Sequence, residues 1–76
     1  MNAAYRYTVE NPIESKEYYE KTLGREIEQK EWEEFLCKKA IACFSSHVSL
    51  RSWIKRHHME KYQYIWGKRF PNGRLD

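Results

Sequence analysis

Five side chains of the types that bind transition metals lie in the middle and second half of the chain: Cys37, Cys43, His47, His57 and His58. On one continuous helix Cys43 and His47 would share a face, because they stand four residues apart. A pair from His57 or His58 could then complete a tetrahedral set. Structural zinc sites, however, usually contain a close cysteine pair such as C-x-x-C, and five residues separate Cys37 from Cys43. The spacing therefore favours no metal site, and we expect no cofactor.

The adjacent histidines His57 and His58 are also candidates for hydrolytic or nuclease chemistry. Such a reaction needs a positioned base together with a nucleophile or with carboxylates that hold a metal. Beyond residue 34 the acidic residues are Glu60 and Asp76, so the histidines have little local help from carboxylates. Acids from earlier helices could approach them in the fold, which leaves a small ribonuclease of the toxin type as an alternative. The sequence favours a protein that is not an enzyme and has no catalytic residues.

Charge is distributed unevenly along the chain. Residues 1–38 hold nine acidic and six basic side chains, whereas residues 39–76 hold two acidic and eight basic ones. The two halves therefore carry formal charges of −3 and +6, which sum to the net charge of +3. The basic half also contains two Trp and two Tyr residues. This asymmetry indicates a polyanion or an acidic protein surface as the partner.

Length and composition define the class of protein. Seventy-six residues, with 41% hydrophobic and 33% charged side chains, predict one small globular domain over residues 1–76. Residues 71–76 contain nothing that obliges them to fold, and we expect a flexible tail there. The N-terminal residues lack the apolar segment of a secretory signal, and no stretch of 18 apolar residues occurs. We therefore expect a cytoplasmic protein with no membrane partner.

The pattern of residues predicts a mainly α domain of three helices with a short N-terminal strand. Residues 4–9 alternate ring or branched side chains with small or polar ones, which is typical of a strand. The first helix is expected from Asn11 as N-cap, with Pro12 at its first position, to Leu23, with Gly24 as its left-handed stop. A second helix is expected over residues 27–44, and the apolar C-terminal half of this helix should form the centre of the fold.

The third helix is predicted after a break at Ser45 and Ser46. A hydroxyl of Ser46 or Ser49 could cap it, and it should begin near Leu50 and continue to residue 66, with Gly67 as its stop. Residues 62–66 also alternate as a strand would, and that strand could pair with residues 4–9. We prefer the helix. Residues 70–73 are typical of a turn.

Residues 40–54 resemble the second and third helices of a helix-turn-helix motif. A helix end with small residues is followed by a short serine-containing turn and then by the segment from Ser49 to Ile54. In that arrangement helix 49–62 would be the recognition helix, with Arg51, Lys55 and His58 on its exposed side. The turn contains no glycine, and Ser45 occupies the position that usually holds a buried aliphatic residue.

Two functions are compatible with these features. The first is a small non-catalytic accessory protein, of the type made by phages and mobile elements, that binds and inhibits or modulates a host protein or nucleoprotein complex that handles nucleic acid. The second is a DNA- or RNA-binding regulator that uses helix 49–62. A second copy of the chain is a further candidate partner: the acidic half of one copy would bind the basic half of the other and form a homodimer. Both functions use an exposed basic and aromatic C-terminal surface formed by Arg51, Lys55, Arg56, His58, Tyr62, Tyr64, Trp66, Lys68, Arg69 and Phe70.

Overall fold

The computed structural model describes residues 3–70 and residue 75, and it confirms a mainly helical protein. The described residues contain five α-helices and no strand, so the prediction of three helices and an N-terminal strand was wrong. The α-helices are α1 (Ala3–Glu10), α2 (Pro12–Leu23), α3 (Gln29–Cys43), α4 (His47–Arg56) and α5 (Gln63–Trp66). Two 3₁₀ turns, Glu60–Tyr62 and Gly67–Arg69, lie before and after α5.

Helix α1 occupies the segment that was expected to be a strand. Its alternating sequence also places Thr8 and Val9 on one helical face, and both side chains are buried. Arg6 of this helix pairs with Glu10 at 3.4 Å, one helical turn further on. A strand here would need a neighbouring strand for its N–H and C=O groups, and residues 62–66, the alternative strand that could have paired with it, are helical. The helix instead satisfies its own backbone.

Helix α2 has the boundaries that the sequence predicts. It begins with Pro12, and Gly24 adopts the left-handed conformation (φ 74°) that ends it. Asn11 precedes the helix, but its side chain donates to the Tyr7 carbonyl of α1 instead of capping α2. Ser15 is the buried residue of α2, so this helix lies across the surface. Its attachment includes a hydrogen bond from Trp32 Nε1 to the Pro12 carbonyl oxygen (3.2 Å).

Helix α3 runs through the centre of the fold and begins two residues later than expected. Its buried residues are Trp32, Leu36, Cys37, Ala40 and Cys43. Both cysteines are free thiols in the interior. Burial, together with the negative charges of the nearby Glu33 and Glu34 carboxylates, raises the pKa of the Cys37 thiol to about 12. Cys37 is therefore a packing residue that stays protonated at neutral pH.

Helix α4 begins and ends through local backbone motifs. The Ser46 side chain accepts a hydrogen bond from the Ser49 N–H (3.4 Å), as expected for an N-cap. At the other end His58 adopts a left-handed conformation (φ 57°) and the Met59 N–H bonds to the Ile54 carbonyl oxygen (2.9 Å). This is a Schellman motif, in which glycine usually occupies the left-handed position. The prediction that this helix continues to residue 66 was therefore wrong.

His58 gives a direct test of this helix end, because a left-handed residue with a Cβ atom costs roughly 1–2 kcal/mol. We expect His58→Gly to raise the free energy of unfolding by about 0.5–1 kcal/mol, measured by urea denaturation. His58→Ala retains the Cβ atom and should give no such gain. A His58→Gly variant that is less stable than the wild type would contradict this account.

The C-terminal segment returns to α3 and completes the core. Residues 63–66 are helical, so the preference for helix over strand was correct there. Leu75 is buried among the core residues. Residues 71–73 of the expected turn, and the rest of the expected tail apart from Leu75, lie outside the described residues. None of the described helices has the length and apolar character that crossing a membrane requires.

Candidate nucleic-acid interface

Three rings that were expected on the C-terminal surface are buried instead. The exposed fractions of Tyr62, Trp66 and Phe70 are 4%, 3% and 7%. The Trp66 ring donates from Nε1 to the Met59 carbonyl oxygen (3.0 Å) and packs edge-on against Phe70. The Tyr62 hydroxyl donates to Glu33 Oε1 (2.6 Å). The expectation of an exposed aromatic surface is corrected by these contacts, since the rings fill a core that the five helices share.

Tyr64 is the expected ring that remains in solvent, with 67% of its side chain exposed. Its hydroxyl donates to Glu34 Oε2 of α3. That hydrogen bond raises the pKa of Tyr64 to about 12, with smaller contributions from burial and from the negative charge of Glu34. The ring therefore lies beside a carboxylate of α3 and is not part of α4.

Two of the expected binding cations bond to backbone carbonyl groups. Arg69 donates from Nη1 to Ile41 (3.0 Å) and from Nη2 to Ser45 (3.1 Å), so its guanidinium binds the end of α3 and the turn before α4. Arg51 Nε donates to the carbonyl oxygen of Leu75. Carbonyl groups in the last turn of a helix have no partner within the helix, so Arg69 has a clear structural role in fixing the turn between α3 and α4.

The remaining cations of the prediction lie on or near α4. Helix α4 buries Leu50, Trp53 and Ile54 and exposes a face that consists of Val48, Ser49, Arg51, Ser52, Lys55 and Arg56, which we call the α4 face. At 100° per residue, Ser52 and Lys55 lie near its middle, while Arg51 and Arg56 lie on opposite edges about 140° apart. Arg51 is half-buried, and Lys55 and Arg56 are exposed.

The α4 face contains no carboxylate. Residues 35–59 include no Asp or Glu, and this stretch begins in the middle of α3 and ends beyond α4. In residues 3–70 and 75, ion pairs join Arg6 to Glu10, Arg25 to Glu31 and Lys61 to Glu33, and none of them involves α4. The positive charges of Lys55 and Arg56 are thus available to a ligand.

Other expected site residues are placed apart from this face. His58 is exposed and belongs to the Schellman motif, and Lys68 is exposed in the second 3₁₀ turn. The prediction missed Val48, Ser49 and Ser52 as members of the face. Their positions could have been found by counting around the helix from Leu50, Trp53 and Ile54, once its end at Arg56 was recognised.

The connection from α3 to α4 has the length expected of a helix-turn-helix. Three residues, Phe44 to Ser46, join the two helices. Phe44 is buried, and the Arg6 guanidinium lies 4.7 Å from the centre of its ring. Phe44 therefore supplies the buried apolar side chain that Ser45, which is exposed, does not.

A groove lies between Arg56, at one edge of the α4 face, and acidic residues of α2 and α3. It has a volume of about 500 Å³, and its walls include Glu17, Glu20 and Glu33 on one side and Arg56 and His57 on the other. A second, apolar groove of about 170 Å³ lies between α2 and α3, with Tyr19, Leu23 and Trp32 among its walls. Among the described residues, no group of three His, Cys, Asp or Glu side chains is arranged to hold a metal ion.

His57 lies at the boundary between the core and this groove. Its Nε2 atom is buried and has no hydrogen-bond partner, and its ring lies 5.2 Å from that of Trp53. Burial lowers the pKa of His57 below its ordinary value of 6.5, and the positive charges of Arg56 and His58 lower it further. The neutral imidazole is therefore the form that the fold prefers.

His57 should make the protein less stable in mild acid. Because the pKa of His57 is lower in the folded protein, the unfolded chain takes up the proton first as the pH falls below 6.5. The free energy of unfolding should be at its full value above pH 6.5, decline below it, and level off once folded His57 is also protonated. Urea denaturation at pH 7.5 and 5.5 measures this loss.

His57→Phe removes the titrating group and should weaken that pH dependence. Hydrogen bonds from Tyr62, Gln29 and Lys61 outweigh the effect of burial and lower the pKa of the Glu33 carboxyl below 4.5, so its titration falls outside this pH range. An equal loss of stability in the wild type and in His57→Phe between pH 7.5 and 5.5 would rule out His57 as the cause.

Comparison of the chain with protein-family models, with curated proteins and with solved structures finds no match in any of the three.

Proposed function

We propose that this protein binds nucleic acid through the α4 face and has no catalytic role. The observation that carries the proposal is a helix whose outer side presents the exposed Lys55 and Arg56, the half-buried Arg51 and two serine hydroxyls, with no carboxylate. Lysine and arginine neutralise phosphates and release condensed counterions, which supplies most of the affinity of a non-specific complex. Serine hydroxyls donate to phosphate oxygens or base edges.

The fold supports this proposal by holding α4 rigidly. The N-cap at Ser46, the Schellman motif at His58 and the guanidinium of Arg69 fix the two ends of α4 and the turn before it. Leu50, Trp53 and Ile54 anchor its inner side with no exposed surface. A preorganised binding element loses less conformational entropy when its ligand arrives.

The charge distribution supports a defined orientation. The carboxylates of residues 10–34 belong to α1, α2, the α2–α3 loop and the first half of α3, whereas residues 35–59 contain none. The carboxylates of residues 10–34 would repel a polyanion, whereas the cations of residues 35–59 would attract it. Approach through the α4 face is therefore electrostatically favoured.

The test is a titration of a fluorescently labelled 20-base-pair duplex of random sequence, followed by anisotropy at 50 and 200 mM salt. The two exposed cations and the half-buried Arg51 predict about two to three phosphate contacts and a slope of roughly −1.8 to −2.7 in log affinity against log salt. Affinity should then fall roughly 12-fold to 40-fold between the two salt concentrations, from a low-micromolar dissociation constant. Absence of binding at 50 mM salt and tens of micromolar protein would refute the proposal.

A second candidate function, modulation of a host protein, is favoured by the apolar groove between α2 and α3. Leu23, at its edge, is 55% exposed, and Glu26 and Glu28 in the following loop are also exposed. An apolar side chain on a basic segment of a protein partner would match this combination of shape and charge. Under this alternative, crosslinking to the partner should be lost in Leu23→Arg and retained in Lys55→Ala. The reverse pattern would exclude the groove.

A further inference from the structure

We infer that the ligand of the α4 face is double-stranded DNA, and this inference depends on the proposed nucleic-acid binding. Two independent observations support it. The first is that most aromatic rings of the basic half, which could have stacked on unpaired bases, are buried. The second is that the exposed side chains of α4 are placed as they are in a helix that binds the major groove of a duplex.

Proteins that bind single strands stack the unpaired bases on exposed aromatic rings. Among the described residues of the basic half, Tyr64 is the one exposed Tyr, Trp or Phe side chain. The other described Tyr, Trp and Phe residues of that half are all buried, with Trp53 at 0% exposure, and the Tyr64 hydroxyl bonds to Glu34. The exposed His47 ring packs edge-on against Phe70 at 5.1 Å. A single strand that lies along the α4 face would therefore meet cations but few faces on which a base could stack.

The α4 face is arranged for two phosphate backbones. Its outer cations, Arg51 and Arg56, lie on opposite edges of the helix, and Ser52 and Lys55 lie between them. Arg56 is exposed, whereas Arg51 is half-buried and bonds through Nε to the Leu75 carbonyl oxygen. A helix placed in a groove that is about 12 Å wide contacts a phosphate strand on each edge and the base edges along its middle. Val48, which is 73% exposed, would add an apolar contact of the kind that reads a thymine methyl group.

Groove width distinguishes the two kinds of duplex. The major groove of B-form DNA admits an α-helix, whereas the major groove of A-form RNA is deep and narrow and side chains cannot read it. With ten residues, α4 is about 15 Å long, which suits one crossing of the DNA major groove. The arrangement therefore favours double-stranded DNA over double-stranded RNA.

The experiment is a competition at 100 mM salt against a labelled 20-base-pair DNA duplex. The competitors are the unlabelled duplex, an oligo-dT single strand of 20 nucleotides and an RNA duplex of the same sequence. We expect the DNA duplex to compete at a concentration at least tenfold lower than either of the others. Equal or better competition by the single strand or by the RNA duplex would overturn the inference and leave nucleic-acid binding intact. Failure of the labelled duplex to bind would refute the proposed function itself.

A variant in the middle of the face tests the placement of α4. Ser52→Glu adds a carboxylate where the base edges would lie and should weaken binding of the DNA duplex at least tenfold. Thr22→Glu, in the exposed part of α2, makes the same change in charge on the acidic half and should leave the affinity within twofold. Circular dichroism confirms that both variants are folded. Equal affinities of the two variants would overturn the placement.

Discussion

Replacing Lys55 and Arg56 together by Glu is expected to weaken binding of duplex DNA by about 100-fold at 50 mM salt. Each replacement exchanges an attraction to phosphate for a repulsion, and a 100-fold loss corresponds to about 2.7 kcal/mol for the pair. Both side chains are exposed and neither takes part in an ion pair of the described residues, so the fold should survive the change. Anisotropy titration of the labelled duplex measures the loss, and a urea titration checks the stability.

The control for this variant distinguishes the effect of where the charges lie from the effect of the net charge on the affinity for DNA. Lys21 and Lys30 are exposed residues of α2 and α3 in the acidic half of the chain. The double variant Lys21→Glu with Lys30→Glu lowers the net charge of +3 by the same four units, to −1. If the α4 face is the binding surface, this control should lose less than about fivefold in affinity. Equal losses in the two double variants would mean that net charge alone governs binding and that α4 has no special role.

Salt dependence gives a second measurement on the same residues. In the milder variant with alanine at both positions, each lost phosphate contact should reduce the slope of log affinity against log salt by about 0.9. A variant that binds more weakly but retains the slope of the wild type would indicate that these side chains contact something other than phosphate.

The parts of the fold that follow from the sequence are those with local chemical signals. Pro12 and Gly24 determine the ends of α2, because one lacks an N–H and the other adopts a positive φ without strain. The long apolar pattern of residues 27–44 predicts α3 to within two residues at its start and one at its end. Both helices are specified by residues that lie within them or directly beside them.

The errors arise where the deciding contact is distant or the signal is unusual. His58 takes the left-handed position that glycine normally occupies, so the sequence contains no recognisable stop at the end of α4. The alternation of residues 4–9 is equally compatible with a helix whose buried side is Thr8 and Val9. Of these errors, the position of the end of α4 changes the candidate site most. Because α4 ends at Arg56, His58 and Tyr62 do not belong to the helix that carries Lys55.

Burial of the C-terminal rings could not be derived from their own neighbourhood. Tyr62 finds its partner at Glu33, 29 residues earlier, and Arg69 finds its partners at Ile41 and Ser45. Contacts over such separations depend on how the helices pack. By contrast, the exposure of Lys55 and Arg56 follows from the buried positions of Leu50, Trp53 and Ile54 within the same helix, so it could be predicted from the sequence.

Trp53→Ala is expected to remove most of the free energy of unfolding of the protein at 25 °C. Trp53 is fully buried at the centre of the core, and its Nε1 donates to the Val9 carbonyl oxygen at 2.6 Å, so it joins α4 to α1. Truncation of a buried Trp to Ala costs about 3–5 kcal/mol. Small domains have total stabilities near the lower end of about 5–15 kcal/mol. Far-ultraviolet circular dichroism during urea denaturation measures the change.

A conservative variant distinguishes the hydrogen bond of Trp53 from its volume. Trp53→Phe retains most of the ring but removes the N–H, which leaves the Val9 carbonyl oxygen without this donor and should cost about 1–3 kcal/mol. The matched control is Trp32→Phe, which removes the bond from Trp32 to the Pro12 carbonyl oxygen; that bond is 3.2 Å long and only partly buried. Trp32→Phe should lower the free energy of unfolding by less than Trp53→Phe does, because water can reach the partly buried Pro12 carbonyl and replace the lost donor. If the two Phe variants lost equal stability, the bond between α4 and α1 would have no special weight, and the packing of Trp53 alone would have to explain how α4 is held.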